Sequence, residues 1–452
     1  MKIILVFKTH FDIGFTDLAS NVIDQYAGSM LEQVIETCKG TQKLGKRHFV
    51  WTMPAWPLWH IVNHSEPKLR KELDELIENG QVVWHALPFT SHTDFATPGE
   101  YLRGFTYSRL LAERYHKPCP IAAKMTDVPG HSVMLPDLLS QAGIRFLHLG
   151  CNEFATPPEV PELFYWQAPG GRKVLTMYSR GGYGSGLIPP KSWKYPVWMA
   201  LMHTTDNSGP QSADAIEHMV KEIQKTYPDA EIVCGTMDDF YRELETCDLS
   251  DVPVLQKDMA DTWIHGVGAY PKEVGVLRKD RKMAETMEAI WANLLLTDTP
   301  LDAKKEEEIS KLWDAYYHQI TMFEEHTWGA DVKTYMGPNR VYKKEEFQEA
   351  KDSDTYRFME RSWEEQKERV RESHKATGNL RAELIAQKGG KNQKEWYLFY
   401  QGSGSYTGWV ELPEAWEQPV VTLSGKELSC EKIAGTWQVY VENLEGFRSV
   451  TI

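Results

Sequence analysis

Acids and histidines follow directly on three apolar runs of this sequence. They are His10 and Asp12 after residues 3–7, Asp127 after residues 121–125, and Asp238 and Asp239 after residues 231–234. Alternate residues of an extended segment point the same way, so His10 and Asp12 could chelate one ion. Zinc accepts imidazole nitrogen and carboxylate oxygen together, usually with four ligands. Two adjacent aspartates also suit a helix N-terminus, which is the more common setting for such a pair.

Short apolar runs alternate with amphipathic segments up to about residue 275. Strands are predicted at residues 3–7, 49–51, 82–86, 121–125, 146–149, 174–178 and 231–234. Strand and helix in alternation predict parallel strands joined by right-handed crossovers. We therefore expect an α/β fold with a barrel or a strongly curved parallel sheet. The carboxyl ends of the strands in such a barrel share one rim, where the acids and histidines would meet.

The pattern changes after this region. Residues 276–386 place apolar side chains at helical spacing in three long segments, which predicts a small antiparallel helix bundle. Residues 389–392 are typical of a linker, and residues 387–452 contain short strand-like runs separated by Gly, Ser and Pro. The predicted domains are thus residues 1–275, 276–386 and 387–452, the last being the start of a β domain.

The overall composition excludes some classes of function. The formal net charge is −14, whereas a nucleic-acid-binding protein normally carries a basic stripe. No apolar run approaches the roughly 20 residues that span a bilayer, so no membrane partner is expected. The six cysteines show no close pairing and are interpreted as reduced thiols. A cytoplasmic location is predicted, or a secreted or periplasmic one for a chain whose signal peptide has been removed.

Five motifs resemble those of glycoside hydrolase family 38, the α-mannosidases, over roughly residues 1–380. Residues 10–15 (HFDIGF) are similar to the opening motif His-x-Asp-x-Gly-Trp, and residues 127–132 (DVPGHS) to the nucleophile motif Asp-Pro-Phe-Gly-His-Ser. Residues 235–240 (GTMDDF) are similar to the Gly-Asp-Asp-Phe segment of the acid/base. Residues 263–271 resemble the passage from barrel to bundle, and residues 324–329 (EEHTWG) the segment of the last zinc ligand.

The resemblance implies a fold and a chemistry. The fold would be a deviated seven-stranded parallel (β/α) barrel followed by a three-helix bundle and β domains. One Zn²⁺ per chain would be held by His10, Asp12, Asp127 and His326. Asp127 would be the nucleophile of a retaining glycosidase and Asp239 its acid/base. His326 has another interpretation, a histidine that interacts favourably with a helix C-terminus.

Substrate contacts are expected at Phe15, Arg180, Asp238 and Trp263. Phe15 replaces the Trp that would stack on the sugar, and Thr327 stands where the family usually has Asp. Arg180 and Gly181 replace a Tyr-Asp pair that binds the sugar, so the substrate need not be a mannoside. An arginine in the pocket would favour an acidic sugar, although a surface position is the alternative.

Two other functions remain open at this stage. A zinc hydrolase acting on an amide or ester, such as a sugar deacetylase, would activate water and would not need Asp239. A non-catalytic sugar-binding protein would keep the metal without turnover. In each case the expected partner is a carbohydrate rather than a nucleic acid or a membrane, and self-association of the chain is left open.

Overall fold

The computed structural model describes residues 1–44, 49–263, 266–296, 301–337, 340–388, 396–446 and 449–452. The predicted linker at residues 389–392 and His265 of the barrel-to-bundle motif lie outside these ranges. Contacts divide the chain into two compact units. The first comprises Met1–Pro271 and Ile320–Arg369, and the second comprises Lys272–Gln319 and Val370–Ile452. The division into three domains at residues 275 and 386 stays a prediction.

The first unit has a mixed α/β fold. Its strands are β1 (Lys2–Lys8), β2 (Trp51–Met53), β3 (Val82–Trp84), β4 (Ala122–Met125), β5 (Gly130–His131), β6 (Phe146–Gly150), β7 (Leu163–Gln167), β8 (Lys173–Ser179), β9 (Val197–His203), β10 (Glu231–Cys234), β11 (Val254–Leu255) and β12 (Met259–Ala260). Each of the seven runs predicted as strands overlaps one of these. Strand β9 overlaps none of the predicted strands and was therefore missed.

Helices lie between most of these strands. They are α1 (Ala19–Gln25), α2 (Leu31–Thr41), α3 (Ala55–His64), α4 (Pro67–Glu78), α5 (Pro98–Gly104), α6 (Thr106–Arg114), α7 (Leu135–Gln141), α8 (Ala213–Thr226) and α9 (Met237–Leu244). A π-helical turn, Tyr26–Met30, joins α1 to α2. The apolar stripe of helix α4 buries Leu73, Leu76 and Ile77.

Two five-stranded sheets form the core of this unit. One has the order β10-β1-β2-β3 with β9 also paired to β1, and all its pairs are parallel. The other has the order β11-β7-β8-β6-β4 and is parallel except between β7 and β8. The N–H of Ala86, just after β3, donates to the carbonyl of Ala122 in β4 at 3.1 Å. Residues 3–7 of β1 are completely buried, as expected for a strand covered on both faces.

The second unit contains helix and antiparallel strand. The remaining α-helices of the described residues are α10 (Pro271–Leu295), α11 (Ala303–Glu324), α12 (Val332–Tyr335), α13 (Lys344–Ala350) and α14 (Asp354–Lys388). Of these, α12 and α13 belong to the first unit, and α10, α11 and α14 contribute residues to both. The strands of the second unit are β13 (Tyr397–Phe399), β14 (Ser405–Glu411), β15 (Val421–Leu423), β16 (Lys426–Leu428), β17 (Cys430–Ile433), β18 (Thr436–Glu445) and β19 (Ser449–Thr451). Within the described residues, every helix is too short or too polar to cross a bilayer.

Candidate active site

The loop after β1 carries His10 and Asp12, and Asn207 fixes its backbone. Both ligand candidates are only 2% exposed. The Asn207 Oδ1 accepts the N–H of Asp12 at 3.0 Å, and its Nδ2 donates to the carbonyls of Asp12 at 3.0 Å and Gly14 at 3.1 Å. Strands β1 and β9 are in register along their length, which brings the two following loops together.

His326 reaches the same place from the end of α11. Residues 324–326 pair with residues 90–92, and the N–H of His326 donates to the carbonyl of Thr90 at 3.2 Å. The Nε2 atom of His326 lies 2.7 Å from Oδ1 of Asp12 and 3.4 Å from Oδ2 of Asp127. The pairing therefore anchors the histidine to the loop after β3.

Asp127 completes the group from the loop after β4. Its backbone has a φ of 70°, a left-handed conformation that Asp and Asn adopt more readily than most residues. Its Oδ2 lies 3.6 Å from Nε2 of His10, and its Oδ1 accepts a hydrogen bond from Nδ2 of Asn152 at 3.2 Å. The same Nδ2 donates to the hydroxyl of Tyr183 at 2.8 Å, and the Tyr183 ring stacks on His10. One oxygen of Asp127 thus faces the imidazoles and the other faces an amide.

His10, Asp12 and His326 form a buried group that could hold a metal ion, and Asp127 lies beside both imidazoles. The two imidazole Nε2 atoms are 3.1 Å apart, and each lies 2.7–3.6 Å from Oδ1 of Asp12 and Oδ2 of Asp127. A tetrahedron with metal–ligand bonds of about 2.1 Å has edges of roughly 3.4 Å. In addition, Oδ2 of Asp12 is buried without a hydrogen-bond partner among the described residues. Two carboxylates and two imidazoles are a donor set that suits a divalent transition metal.

The electrostatics of the group favour ionised carboxylates. Burial would raise the pKa of Asp127, but hydrogen bonds from His10 and His326 hold it well below its usual value. Burial acts the same way on Asp12, and the charge and hydrogen bond of His10 nevertheless lower its pKa to about 2. Burial would lower the pKa of His326, but the charge of Glu325 and the bond to Asp12 raise it. A metal ion bound at the imidazole nitrogens would compete with protons for them.

Asp206 lies in the loop after β9, beside this group. The residue before it, Thr205, accepts a hydrogen bond on its carbonyl from Oγ1 of Thr9 at 3.2 Å, and the residue after it is the asparagine that fixes Asp12. Burial raises the pKa of Asp206 to about 6, and the charges of Asp12 and Asp127 act in the same direction. A carboxyl of this kind retains its proton closer to neutrality than a solvated aspartate does.

Asp261 is a second carboxyl with a raised pKa. Burial raises its pKa to about 6, with a smaller contribution from the charge of Asp127. Its Oδ1 accepts the backbone N–H of Trp263 at 2.6 Å, a bond that opposes the rise. Trp263, predicted to contact substrate, is half-buried in this turn. Asp261 is therefore tied to its own loop, whereas Asp206 interacts with both carboxylates of the metal group.

The structure does not bring Asp239 to this group. Its Oδ2 accepts the N–H and the hydroxyl of Thr236, each at 2.9 Å, and the Thr236 hydroxyl accepts the N–H of Asp239 at 3.0 Å. This is a capping box that begins α9. The side chain expected to act as the acid/base is thus a helix cap, the alternative that the sequence left open.

Asp238 is likewise placed elsewhere. Its two oxygens accept the N–H groups of Ile121 at 3.1 Å and Ala122 at 2.9 Å, at the start of β4. Asp127 follows the other end of that strand, and five extended residues span roughly 15 Å. Asp238 therefore lies at the amino end of the strand and the metal group at its carboxyl end, so the predicted substrate contact is not supported by its position.

Phe15 and Arg180 differ in their relation to the site. Phe15 is half-buried with a φ of 59°, and its backbone bonds to the carbonyl of Gly329 and to the N–H of Asp331, which places it beside the segment that carries His326. Arg180 is exposed, and its Nη2 donates to the carbonyl of Val160. Arg180 thus lies at the surface, which was the alternative interpretation. Its position does not support an acidic sugar as substrate.

Several residues that contact the group or interact with its charges were not predicted from the sequence. They are Asn152, Tyr183, Asp206, Asn207 and Glu325. Two of them, Asp206 and Asn207, follow the apolar run at residues 197–203. Polar residues also follow the apolar runs that were predicted as strands, so this run was the available signal. The other three follow from tertiary contacts alone.

Comparison with known proteins agrees with this architecture. Residues 1–239 match the sequence profile described as the glycosyl hydrolases family 38 N-terminal domain, and residues 304–394 match a domain of unknown function, DUF5054. No curated protein matches the sequence.

Two solved structures share the fold. An α-mannosidase from Enterococcus faecalis V583 aligns with 100% of this chain and 56% of its own, with a TM-score of 0.65 and 10% identity. A protein in the glycosyl hydrolase family 38 from Enterococcus faecalis aligns with 100% and 53%, with a TM-score of 0.61 and 11% identity. The chain thus spans little more than half the length of these proteins. Because the family profile covers 239 of the 452 residues, the chain belongs to glycosyl hydrolase family 38.

Proposed function

We propose that this protein is a zinc-dependent retaining glycoside hydrolase with Asp127 as nucleophile and Asp206 as acid/base. The observation that carries the proposal is the contrast between these two carboxyls. Neighbouring imidazoles keep the pKa of Asp127 low, while burial and nearby carboxylates raise the pKa of Asp206 to about 6. Hydrolysis of a glycosidic bond by a nucleophile and an acid/base requires two carboxyls with well-separated pKa values, one ionised and one protonated.

The first step uses both carboxyls. An oxygen of Asp127 attacks the anomeric carbon while the bond from that carbon to the leaving oxygen breaks, and Asp206 gives its proton to that oxygen. In the second step, Asp206 takes a proton from water, the water oxygen attacks the anomeric carbon, and the bond to Asp127 breaks. A bound zinc ion would supply a positive charge that binds sugar hydroxyls in this site.

The surrounding residues support these roles. The amide of Asn152 orients Oδ1 of Asp127, and its second contact, to the Tyr183 hydroxyl, keeps that amide in place. The side chains of His10, Asp12 and His326 would hold the metal and are at most 6% exposed. Phe15 is an aromatic side chain at the edge of the same loop and is proposed to contact the sugar ring.

The family also suggests the finer architecture. The two largely parallel sheets, joined by the hydrogen bond between Ala86 and Ala122, support a deviated seven-stranded barrel. Helices α10, α11 and α14 support a three-helix bundle. A carbohydrate is the proposed substrate, as in the α-mannosidase named above. The choice of sugar is left to experiment, because the positions that depart from the family pattern are those expected to contact it.

The test is a screen of aryl glycosides in both anomeric forms, together with metal analysis. We expect one zinc ion per chain and release of the aryl group from at least one α-glycoside. Asp127→Asn should lower kcat by at least about 10⁴-fold and leave the fold intact, because Asn tolerates the left-handed backbone. Asp251→Asn, which removes an exposed carboxylate paired with Lys194, is the matched control and should retain full activity.

Two results would contradict the proposal. Release of acetate from acetylated sugars with no cleavage of any glycoside would establish a deacetylase instead. Sugar binding without turnover of any substrate, in a protein that has its metal, would establish a non-catalytic role.

A further inference from the structure

Glu325 is a completely buried carboxylate behind a proposed metal ligand. It is 0% exposed and forms an antiparallel bridge with Ser91. Its Oε1 lies 2.7 Å from Nδ1 of His326, a charge contact outside hydrogen-bond geometry, so this buried Nδ1 has no hydrogen-bond partner among the described residues. Its Oε2 accepts the backbone N–H of Thr327 at 2.9 Å. Both oxygens therefore face polar groups of the two residues that follow.

A buried carboxylate is costly unless its charge is compensated. Compensation comes from the contacts to His326 and Thr327 and from Arg369, whose charge interacts with Glu325. Burial lowers the pKa of Arg369 to about 10, and the negative charge of Glu325 opposes that decrease. Several groups thus hold the glutamate in a defined position. A side chain that only fills space would not need these contacts.

Glu325 is also connected to a second ligand. The hydroxyl of Thr327 lies 3.3 Å from Oε1 of Glu325 and 3.3 Å from Oδ1 of Asp12. A hydroxyl has one proton, so Thr327 donates to one carboxylate at a time. The side chains behind the metal group thus form one connected set that includes Glu325, Thr327 and Asp12.

The two histidines of the group are oriented in different ways. The ring of His10 stacks on Tyr183, with centroids 4.4 Å apart and an angle of 28° between the planes. The ring of His326 instead has a carboxylate at Nδ1 and the two aspartates at Nε2. A carboxylate at the second nitrogen fixes the tautomer of a metal-binding histidine and increases its basicity.

We propose that Glu325 is a positioning residue for His326, which keeps the proton on Nδ1 and directs the Nε2 lone pair into the metal site. This inference rests on the proposed function, because it requires that the four-residue group binds a metal ion. It adds a residue outside the ligand set and predicts that metal affinity, before any turnover, depends on its charge.

The test is the zinc affinity of metal-stripped protein, measured by competition with a chromophoric chelator. Glu325→Gln keeps the size and a carbonyl acceptor but removes the charge, and Glu325→Ala removes both. We expect zinc to bind about 10- to 100-fold more weakly to Glu325→Gln, and still more weakly to Glu325→Ala. NMR of ¹⁵N-labelled histidine in the zinc-loaded protein should show Nδ1 of His326 protonated in the wild type, and the Nδ1 signal should change in Glu325→Ala.

The matched control is Glu100→Gln. Glu100 is a buried carboxylate, 3% exposed, in the capping box that begins α5, so its loss should alter thermal stability without changing zinc affinity more than about threefold. Glu325→Gln with wild-type zinc affinity would overturn this inference alone. A wild-type protein that binds no zinc would contradict the metal-dependent function as well. If Glu325→Ala does not fold, Glu325→Gln decides the question.

Discussion

Asn207 and Asp12 exchange two hydrogen bonds, so the loop after β9 and the loop after β1 form one structural unit. The side-chain oxygen of Asn207 accepts the N–H of Asp12, and its amide donates back to the carbonyl of Asp12, both at 3.0 Å. The same amide reaches the hydroxyl of Thr16 at 2.9 Å. The proposed acid/base, Asp206, precedes Asn207 directly, and Asp12 is a proposed metal ligand. One asparagine therefore sets the relative position of the proton donor and the metal.

Asn207→Ala should consequently affect stability as well as activity. The substitution leaves the N–H of Asp12 and two buried carbonyls without their partners and places Ala at a φ of 50°, so we expect the free energy of unfolding to fall by about 2–4 kcal/mol. Urea denaturation measures this change. Asn63→Ala removes an exposed amide that bonds to its own helix and to the exposed Arg114, and should change the free energy by less than about 0.5 kcal/mol. A loss below about 1 kcal/mol at Asn207 would contradict the role assigned to it.

Asp206→Asn separates chemistry from stability. For glycosides with poor leaving groups, the variant should be at least about 10²-fold slower than the wild type. For glycosides whose leaving group needs no proton, the decrease in rate should be much smaller, because only the first class requires an acid. Asp261→Asn is the comparison, since Asp261 has a similarly raised pKa but is bonded to its own loop. If the dependence on the leaving group appeared in Asp261→Asn instead, the acid would be Asp261.

The same variant predicts a stability change in metal-free protein. The pKa of Asp206 is raised from 3.8 to about 6 in the folded state, so its stabilising contribution is complete below pH 3.8 and is lost as the pH rises through 6. Asp206→Asn cannot ionise and avoids that loss. We expect it to be more stable than the wild type by about 1 kcal/mol at pH 7.5, after allowance for solvent screening, with no such advantage at pH 3.5. Denaturation curves in the presence of a chelator at both pH values measure the difference.

Asp239→Asn should cost stability and leave catalysis unchanged. Asp239 completes the capping box at the start of α9, and loss of its charge removes about 0.5–1 kcal/mol of helix stabilisation. The measurement is kcat/KM on a cleaved aryl glycoside together with the thermal midpoint. A large fall in kcat/KM without a change in fold would restore Asp239 as the acid/base and exclude the assignment to Asp206.

Zinc should stabilise the protein in a pH-dependent manner. A ligand present at 100 times its Kd adds about 2.7 kcal/mol to the free energy of unfolding. Burial opposes protonation of both histidines, but Asp12 raises the pKa of His10, and Glu325 and Asp12 raise the pKa of His326. Protons therefore compete with the metal, and the stabilisation should increase from about pH 6 to pH 8. Thermal unfolding with and without zinc measures the effect. It should vanish in His326→Ala and persist in His64→Ala, which alters an exposed histidine of α3.

The sequence predicted most of the strands because their apolar runs are buried on both faces, as in residues 3–7. Strand β9 was missed because its Met, Ala and Leu residues favour helix as much as strand, and pairing with β1 decides its conformation. That omission removed Asp206 from consideration. The Asp238–Asp239 pair was chosen from a local motif, and only tertiary contacts distinguish a catalytic acid from a helix cap. His10, Asp12, Asp127 and His326 lie near one another, and their role as metal ligands stays a prediction. The role proposed for Glu325 depends on contacts that the sequence does not reveal.

The antiparallel pairing of residues 90–92 with residues 324–326 has a consequence for biosynthesis. Three of the proposed ligands lie within the first 127 residues, and the fourth is separated from His10 by 316 positions. A chain emerging from the ribosome can therefore offer only three ligands until the residue that follows α11 has been translated. A site with three of its four ligands releases a metal ion more readily than the complete site. Closing so long a loop is slow and entropically costly. Stable capture of the ion is thus expected only after α11 has been translated and has paired with residues 90–92.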